Sequence, residues 1–416
     1  MSGFDFVVGY EDVKRELVRT CDVLRYPKKY EKLGVNMPHG ILLCGDHGLG
    51  KTLMAECFIL ECDLPVFEIS KAKPGCDVIN EIRVAFAEAM KTDDPALVFL
   101  DNLDDDADEN MYAALKACMD EYKETGVFVI ATAKDLENIP DYLLRVDRFD
   151  KIIPLEEPSV EDAERILNFY LSGVICEEDV DVMEIARIMR GHSGADLKQV
   201  VNEAGMFAAF DKRDSLTQQD LIRACLRIQF AAPETHADGS RREQLEAAVH
   251  EAGHVVVAEA LDTGSVAVTS IACHGRGPNG VTCVDVDDRA GERMKMLEHL
   301  VIRGLAGKAA TEVVLGMVDT GSSDDLQKAF ARVSNFVDDY CVYGFDTYEG
   351  RNATEMLRAK KEQLIAAKLA GYYQEAKNIL IKNRDFLDNM INELMKSGTL
   401  RQKDIKRIRA EVGNVS

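Results

Sequence analysis

"GILLCGDHGLGKTLMAE", residues 40–56, decides the fold of the first part of this chain. The apolar run from Ile41 to Cys44 reads as a buried strand, and helix-forming residues follow the glycines. Between them stands a G-x-x-x-x-G-K-T pattern. Gly45, Gly48 and Gly50 free backbone N–H groups to wrap phosphates at a helix N-terminus. Lys51 reaches the outer phosphates, the Thr52 hydroxyl meets magnesium, and Leu53 beside them is expected to contact the nucleotide. The alternative is a glycine-rich turn that binds nothing. The strand–turn–helix context instead predicts a nucleotide site for ATP and Mg2+.

Outward from this loop, residues 1–155 alternate apolar runs ("PVFEIS", "ALVFLD", "GVFVIAT") with helix-period segments such as "VINEIRVAFAEAMK". That alternation predicts an α/β domain with a parallel sheet covered by helices. Residues 156–230 turn helical. "SVEDAERILNFYL" and "SGADLKQVVNEAGMFAAF" each open with Ser and an acid three residues later, the start of a capped helix. "AAPETHADGSRRE" is rich in small and turn-forming residues and reads as the linker into a third domain, 231–416, which is mainly helical with one strand-like patch, "GVTCVDV".

The chain has 416 residues, which suits two or three domains. Hydrophobic residues make up 46% and charged ones 30%, as in a folded protein rather than a disordered one. The formal net charge of -23 repels phosphate backbones, so nucleic acid is not expected as a partner. Eleven cysteines with no paired spacing do not form a disulfide framework and fit a reducing, cytoplasmic setting. Apolar runs such as "PALVFL" are strand-sized, so membrane insertion by this chain is not expected, and the N-terminus lacks a signal-peptide pattern.

Strand "ALVFLD" ends in Asp101, where a carboxylate can hold Mg2+ through water. Asn102 follows, and an amide cannot accept the proton of an attacking water as a carboxylate does. Asp104 or Asp105 is an alternative base, and an ordinary solvated acidic loop is the alternative reading of "DNLDDDADE".

A second chemistry is encoded in "LEAAVHEAGHVVVAEAL", residues 245–261. His250 and His254 stand four apart, on one helix face, so both imidazoles can reach one zinc ion about 2.0–2.1 Å away. Glu251 is the expected general base, taking a proton from water that the ion acidifies and passing it to the leaving amine. The rival reading is a helix with two ordinary polar residues. For a third ligand Glu259 is possible, but nearly two turns beyond Glu251 it reads rather as a surface charge, and Asp325 in "VDTGSSDDLQKAF" is a better candidate because a Ser/Asp-rich turn opens a helix there. Spacing alone does not choose between them.

Taken together these segments resemble the FtsH family of AAA+ ATP-dependent zinc metalloproteases, over nearly the whole chain. "VGYEDVKREL" and "YPKKYEKLGVNMPHGILLCG" look like the opening of its ATPase module. "LLRVDRFDKIIPL" is similar to its arginine-finger segment, which puts Arg145 and Arg148 in that role. "GHSGADLKQVVNEA" looks like a lid helix, with Gly194 and Ala195 near the nucleotide. "HEAGH", "LAGKAATEVVLG" and "DTGSSDDL" follow in the family's order, and the resemblance carries the third zinc ligand onto Asp325. It implies an α/β AAA+ core, a helical lid and a mainly helical zinc metallopeptidase domain. It also implies a homo-hexameric ring acting on unfolded or damaged proteins.

The departures bear on turnover. The family usually begins with membrane-spanning helices, which are not found here. Asn102 stands where the family has glutamate, Ala133 where it has a sensor asparagine, and "KAKPGCD" lacks the pore-loop aromatic. Nucleotide binding is therefore expected to be intact while hydrolysis and substrate pulling are impaired. A fully active unfoldase-protease and a nucleotide-gated scaffold with a vestigial peptidase are the alternatives.

Overall fold

The apolar runs flanking the phosphate loop become strands β1 (Gly40–Cys44), β2 (Val66–Ile69), β3 (Ala96–Leu100), β4 (Val127–Ala133) and β5 (Lys151–Pro154). In this computed structural model the described residues are 3–69, 77–92, 95–105, 107–123, 125–230, 240–271, 280–285, 294–317, 322–345, 354–413 and 415. They fall into two units, Met1–Thr217 and Gln218–Ser416.

In the first unit the five strands form one sheet in the order β2-β3-β4-β1-β5, with every pair parallel. Helices α1 (Glu11–Arg25), α2 (Pro27–Glu31), α3 (Lys51–Cys62), α4 (Val78–Ala89) and α5 (Glu109–Glu121) connect or precede the strands. Successive side chains of a strand point to opposite faces, which explains why the runs are apolar throughout. Leu42, Val98, Val129 and Ala131 join a core with residues of α4 and α5. Ile41, Leu43, Phe99, Phe128 and Ile130 join a separate core with residues of α1 and α3.

Three further helices complete this unit: α6 (Val160–Leu171), α7 (Val182–Ile188) and α8 (Gly194–Phe210). Both caps expected from the serine spacing form. Ser159 accepts from the Asp162 N–H, and Ser193 and Asp196 make a reciprocal capping box. Each satisfies N–H groups that the first turn leaves unpaired.

The second unit contains α9 (Gln218–Phe230), α10 (Arg241–Leu261), α11 (Met294–Leu315), α12 (Ser323–Asp338), α13 (Glu355–Lys382), α14 (Arg384–Ser397) and α15 (Gln402–Val412). Strands β6 (Val266–Ser270), β7 (Val281–Val284) and β8 (Thr399–Arg401) form an antiparallel sheet ordered β7-β6-β8. Helix α10 opens with a Ser240–Glu243 capping box and is buried through its second half, including Val255, Val256, Val257 and Ala258. It packs on α11 at very close range. A Cβ at Gly253 would lie 2.5 Å from Ala310 Cβ and 2.7 Å from Ala306 O, so only glycine allows the approach.

Glu259 is neither a metal ligand nor a surface charge. It is 1% exposed, and Oε2 accepts from Arg409 Nη1 of α15 at 2.8 Å and from Gly264 N at 3.0 Å. The pore-loop residues 71–76, most of the linker (231–239) and residues 318–321 ahead of Asp325 lie outside the described residues. Among the described residues, no helix is long and apolar enough to cross a membrane.

Candidate nucleotide and metal sites

The phosphate loop leaves the carboxyl end of β1, where neighbouring strands β4 and β5 diverge in chain order, the usual position for a ligand in such a sheet. Gly45, Gly48 and Gly50 have φ of 142°, 80° and 86°, the region that favours glycine. A cavity of about 430 Å3 opens over the loop, lined among others by Val7, Gly48, Lys51, Asn102, Gly194 and Ala195. Thr52 and Leu53 line it too. Gly48, Gly50, Lys51, Thr52 and Leu53 thus share one space with the lid residues Gly194 and Ala195, while Gly45 and Asp101 lie outside its lining, and Ala195 N donates to Gly48 O at 3.1 Å.

Lys51 Nζ folds back onto the loop, donating to Gly45 O at 2.7 Å and Asp46 O at 2.8 Å. Burial draws its pKa down, against the opposing pull of Asp104, Asp46 and Asp101. Thr52 Oγ1 donates to Asp101 Oδ1 at 2.8 Å, so the two expected magnesium-binding groups are adjacent.

Thr132, which the sequence reading passed over, also donates to Asp101 Oδ1 at 2.6 Å and accepts from Asn102 N at 2.8 Å. The signal was its position at the end of a strand neighbouring β3. Asn102 has φ of 51°, a left-handed conformation that asparagine tolerates better than most residues. Ala133 is fully buried at the end of β4, with only a methyl group to offer. Asp104, the alternative base, is already engaged. Its carboxylate accepts from the backbone N–H groups of Lys134 and Asp135 at 2.9–3.0 Å.

The two expected arginine fingers differ. Arg148 binds Asp120 of α5 through two bonds, Nε to Oδ1 at 2.9 Å and Nη2 to Oδ2 at 3.1 Å, and also donates to Tyr142 O. Arg145 is exposed and has no ion pair among the described residues.

In the second unit α10 carries His250, Glu251 and His254, and the first turn of α12 carries Asp325. His250 Nε2 lies 3.0 Å from His254 Nε2 and 3.2 Å from Asp325 Oδ2, and His254 Nε2 lies 3.3 Å from the same oxygen. Three donors around a tetrahedral zinc ion at about 2.0–2.1 Å would be separated by roughly 3.3 Å. The donor set is also the right chemistry, two imidazoles and a carboxylate. His254 Nδ1 sits 2.8 Å from Arg303 O, a carbonyl that only accepts. The ring proton is therefore on Nδ1, and the Nε2 lone pair is directed to the cluster, as a metal-bound histidine requires.

The neighbouring glycines make this possible. A Cβ at Gly307 of α11 would lie 2.4 Å from His250 Cε1 and Nε2. Burial raises the pKa of Asp325, but the His250 and His254 rings beside it outweigh that and hold the carboxyl well below its ordinary range. Burial pushes the Glu251 carboxyl up, partly opposed by both histidines and by the hydroxyl of Thr282. Thr282 and Gly307 were not singled out from sequence, because their roles depend on contacts between distant elements.

The chain matches three family models: "ATPase family associated with various cellular activities" over residues 41–157, "AAA+ lid domain" over 179–223, and "Peptidase family M41" over 239–408. It is 30% identical to the ATP-dependent zinc metalloprotease FtsH of Thermotoga maritima, across 98% of this chain and 73% of that protein. It is 31% identical to ATP-dependent zinc metalloprotease FtsH 2 of Symbiobacterium thermophilum, across 97% of this chain and 74% of the relative. The chain belongs to the FtsH family of ATP-dependent zinc metalloproteases, joins an AAA+ ATPase module and lid to an M41 peptidase domain, and takes Zn2+ and ATP as cofactors.

Proposed function

We propose that this metalloprotease cleaves unfolded or damaged proteins as a cytoplasmic homo-hexamer, and that its ATPase module binds ATP but hydrolyses it slowly or not at all. The modules are residues 1–155 for nucleotide and Mg2+, 156–230 for the lid and 231–416 for the peptidase. The observation that carries the reading is an asymmetry between the sites. The peptidase donors converge at zinc-like spacing, while the nucleotide site has Asn102 beside Asp101 and commits Asp104 to backbone bonds.

In the peptidase, His250, His254 and Asp325 would hold zinc, which when bound polarises a carbonyl and acidifies water. Glu251 takes the proton of the attacking water and delivers it to the departing amine. Burial raises its pKa, which makes the carboxylate a stronger base for taking that proton. Strand β7 is an edge strand, so its outer main-chain groups suit pairing with an extended substrate of varied sequence.

In the ATPase module, Lys51 and the glycine loop would hold the phosphates, and Thr52 and Asp101 the magnesium. Arg145, exposed and unengaged, would reach the nucleotide of the neighbouring subunit, while Arg148 braces the segment against α5. Bound ATP then serves as a fastener between subunits. Parallel assays of steady-state ATP turnover and casein cleavage, with and without a chelator, test the reading. ATP turnover at or above about one per second would defeat it. Chelator-insensitive cleavage, or none after zinc loading, would defeat the peptidase assignment.

A further inference from the structure

We propose that Thr282 of β7 is a positioning residue for the general base, fixing the Glu251 carboxylate by donating a hydrogen bond to one of its oxygens. This rests on the assignment of Glu251 as base. Thr282 Oγ1 lies 2.7 Å from Glu251 Oε2, while Oε1 has no hydrogen bond among the described residues. One oxygen is anchored and the other is left to handle a proton.

The direction of the bond follows from chemistry. An ionised carboxylate only accepts, so Thr282 must spend its single proton on Glu251. Its other neighbour, Thr269 Oγ1 at 2.9 Å, must then be the donor to Thr282. Thr269 is completely buried in β6 and directly opposite Thr282 in the strand register, so the pair is held by the sheet itself. A chain of two hydroxyls, Thr269 to Thr282 to Glu251, is thereby oriented by backbone geometry.

Gly280 supports the other side. A Cβ there would lie 2.5 Å from Glu251 Cγ and 2.8 Å from Oε1. The glycine backbone therefore closes over the glutamate stem, and the residue, 4% exposed, has little room to turn. Because Thr282 belongs to the edge strand, the element suited to pairing with substrate is also the one that holds the base.

The test compares Thr282→Val, which keeps the shape, with Thr282→Ser, which keeps the hydroxyl, in the full-length protein. On a fluorogenic peptide, Thr282→Val is expected to lower kcat by about 10–100-fold, the range for groups that orient a reactive residue. KM should change less than about two-fold and zinc content should stay stoichiometric, while Thr282→Ser should recover most of kcat. A crystal structure of zinc-free Thr282→Val should show the Glu251 carboxylate displaced from its present position. Should the valine variant fail to hold zinc, Thr282→Ala removes the hydroxyl without adding a methyl contact and is read the same way. An unchanged kcat, a loss confined to KM, a serine variant as impaired as the valine one, or an unmoved Glu251 would each overturn the proposal.

Discussion

Gly307→Ala is expected to empty the zinc site without replacing any ligand. The new Cβ would stand 2.4 Å from His250 Cε1 and Nε2 and 2.6 Å from Cδ2. Carbon atoms settle at roughly 3.5–4.0 Å, so ring and methyl group must separate by about 1 Å. Zinc–ligand distances tolerate only about 0.2 Å, and the imidazole that retreats cannot remain in the set of three. Zinc affinity should fall by at least about 100-fold, some 2.7 kcal/mol. Should α11 move away from α10 instead, overpacking costs about 1–3 kcal/mol and appears as an earlier melting transition. Gly304→Ala on the same helix is the control, because its Cβ would meet nothing nearer than Asp325 O at 3.9 Å. It should bind zinc normally and melt slightly later, as alanine suits a helix better than glycine. The assay is competition for zinc between the metal-free protein and a chromogenic chelator, with melting recorded alongside. A Gly307→Ala protein with ordinary affinity and an ordinary melting temperature would refute the reasoning.

Glu251→Gln should retain stoichiometric zinc while casein cleavage falls by at least about 100-fold, since an amide cannot serve as the base; metal analysis and gel-based cleavage read both. Asn102→Glu should raise ATP turnover at least about ten-fold in a coupled assay, despite a local cost of about 1–2 kcal/mol for a left-handed glutamate; no rise would mean that Asn102 is not what limits hydrolysis. Chelation should abolish cleavage and zinc should restore it, with the affinity for a fluorescent ATP analogue unchanged throughout. Arg409→Ala should destabilise the protein by about 3–5 kcal/mol, because it takes the counter-charge from the buried Glu259 carboxylate and leaves it only the Gly264 and Val266 N–H groups; a melting curve matching the parent would contradict this.

Local patterns were legible in the sequence wherever a few consecutive residues carry the physics. The phosphate loop needs only a strand, glycines and a helix, and the Ser159 and Ser193 caps need only an acid three positions on. The alternation of buried strands and helices likewise follows from which runs are apolar. Contacts between distant segments were not legible. Asp325 stands 75 positions from His250, and although its Ser/Asp-rich turn made it the better candidate, residue spacing alone does not pick it out. Glu259 looks like a surface acid in its own helix, because the arginine that buries it comes from α15. Thr132 and Thr282 act through hydroxyls aimed at neighbouring elements, and threonine in a strand is ordinarily only a good strand former.

The pairing of Glu259 with Arg409 also bears on how the protein is made. The helix bearing both histidines is synthesised well before its counter-charge, which lies 150 positions further along the chain. Until α15 emerges, a packed α10 has only the Gly264 and Val266 N–H groups to meet the Glu259 carboxylate, so the helix gains its full stability only once Arg409 arrives.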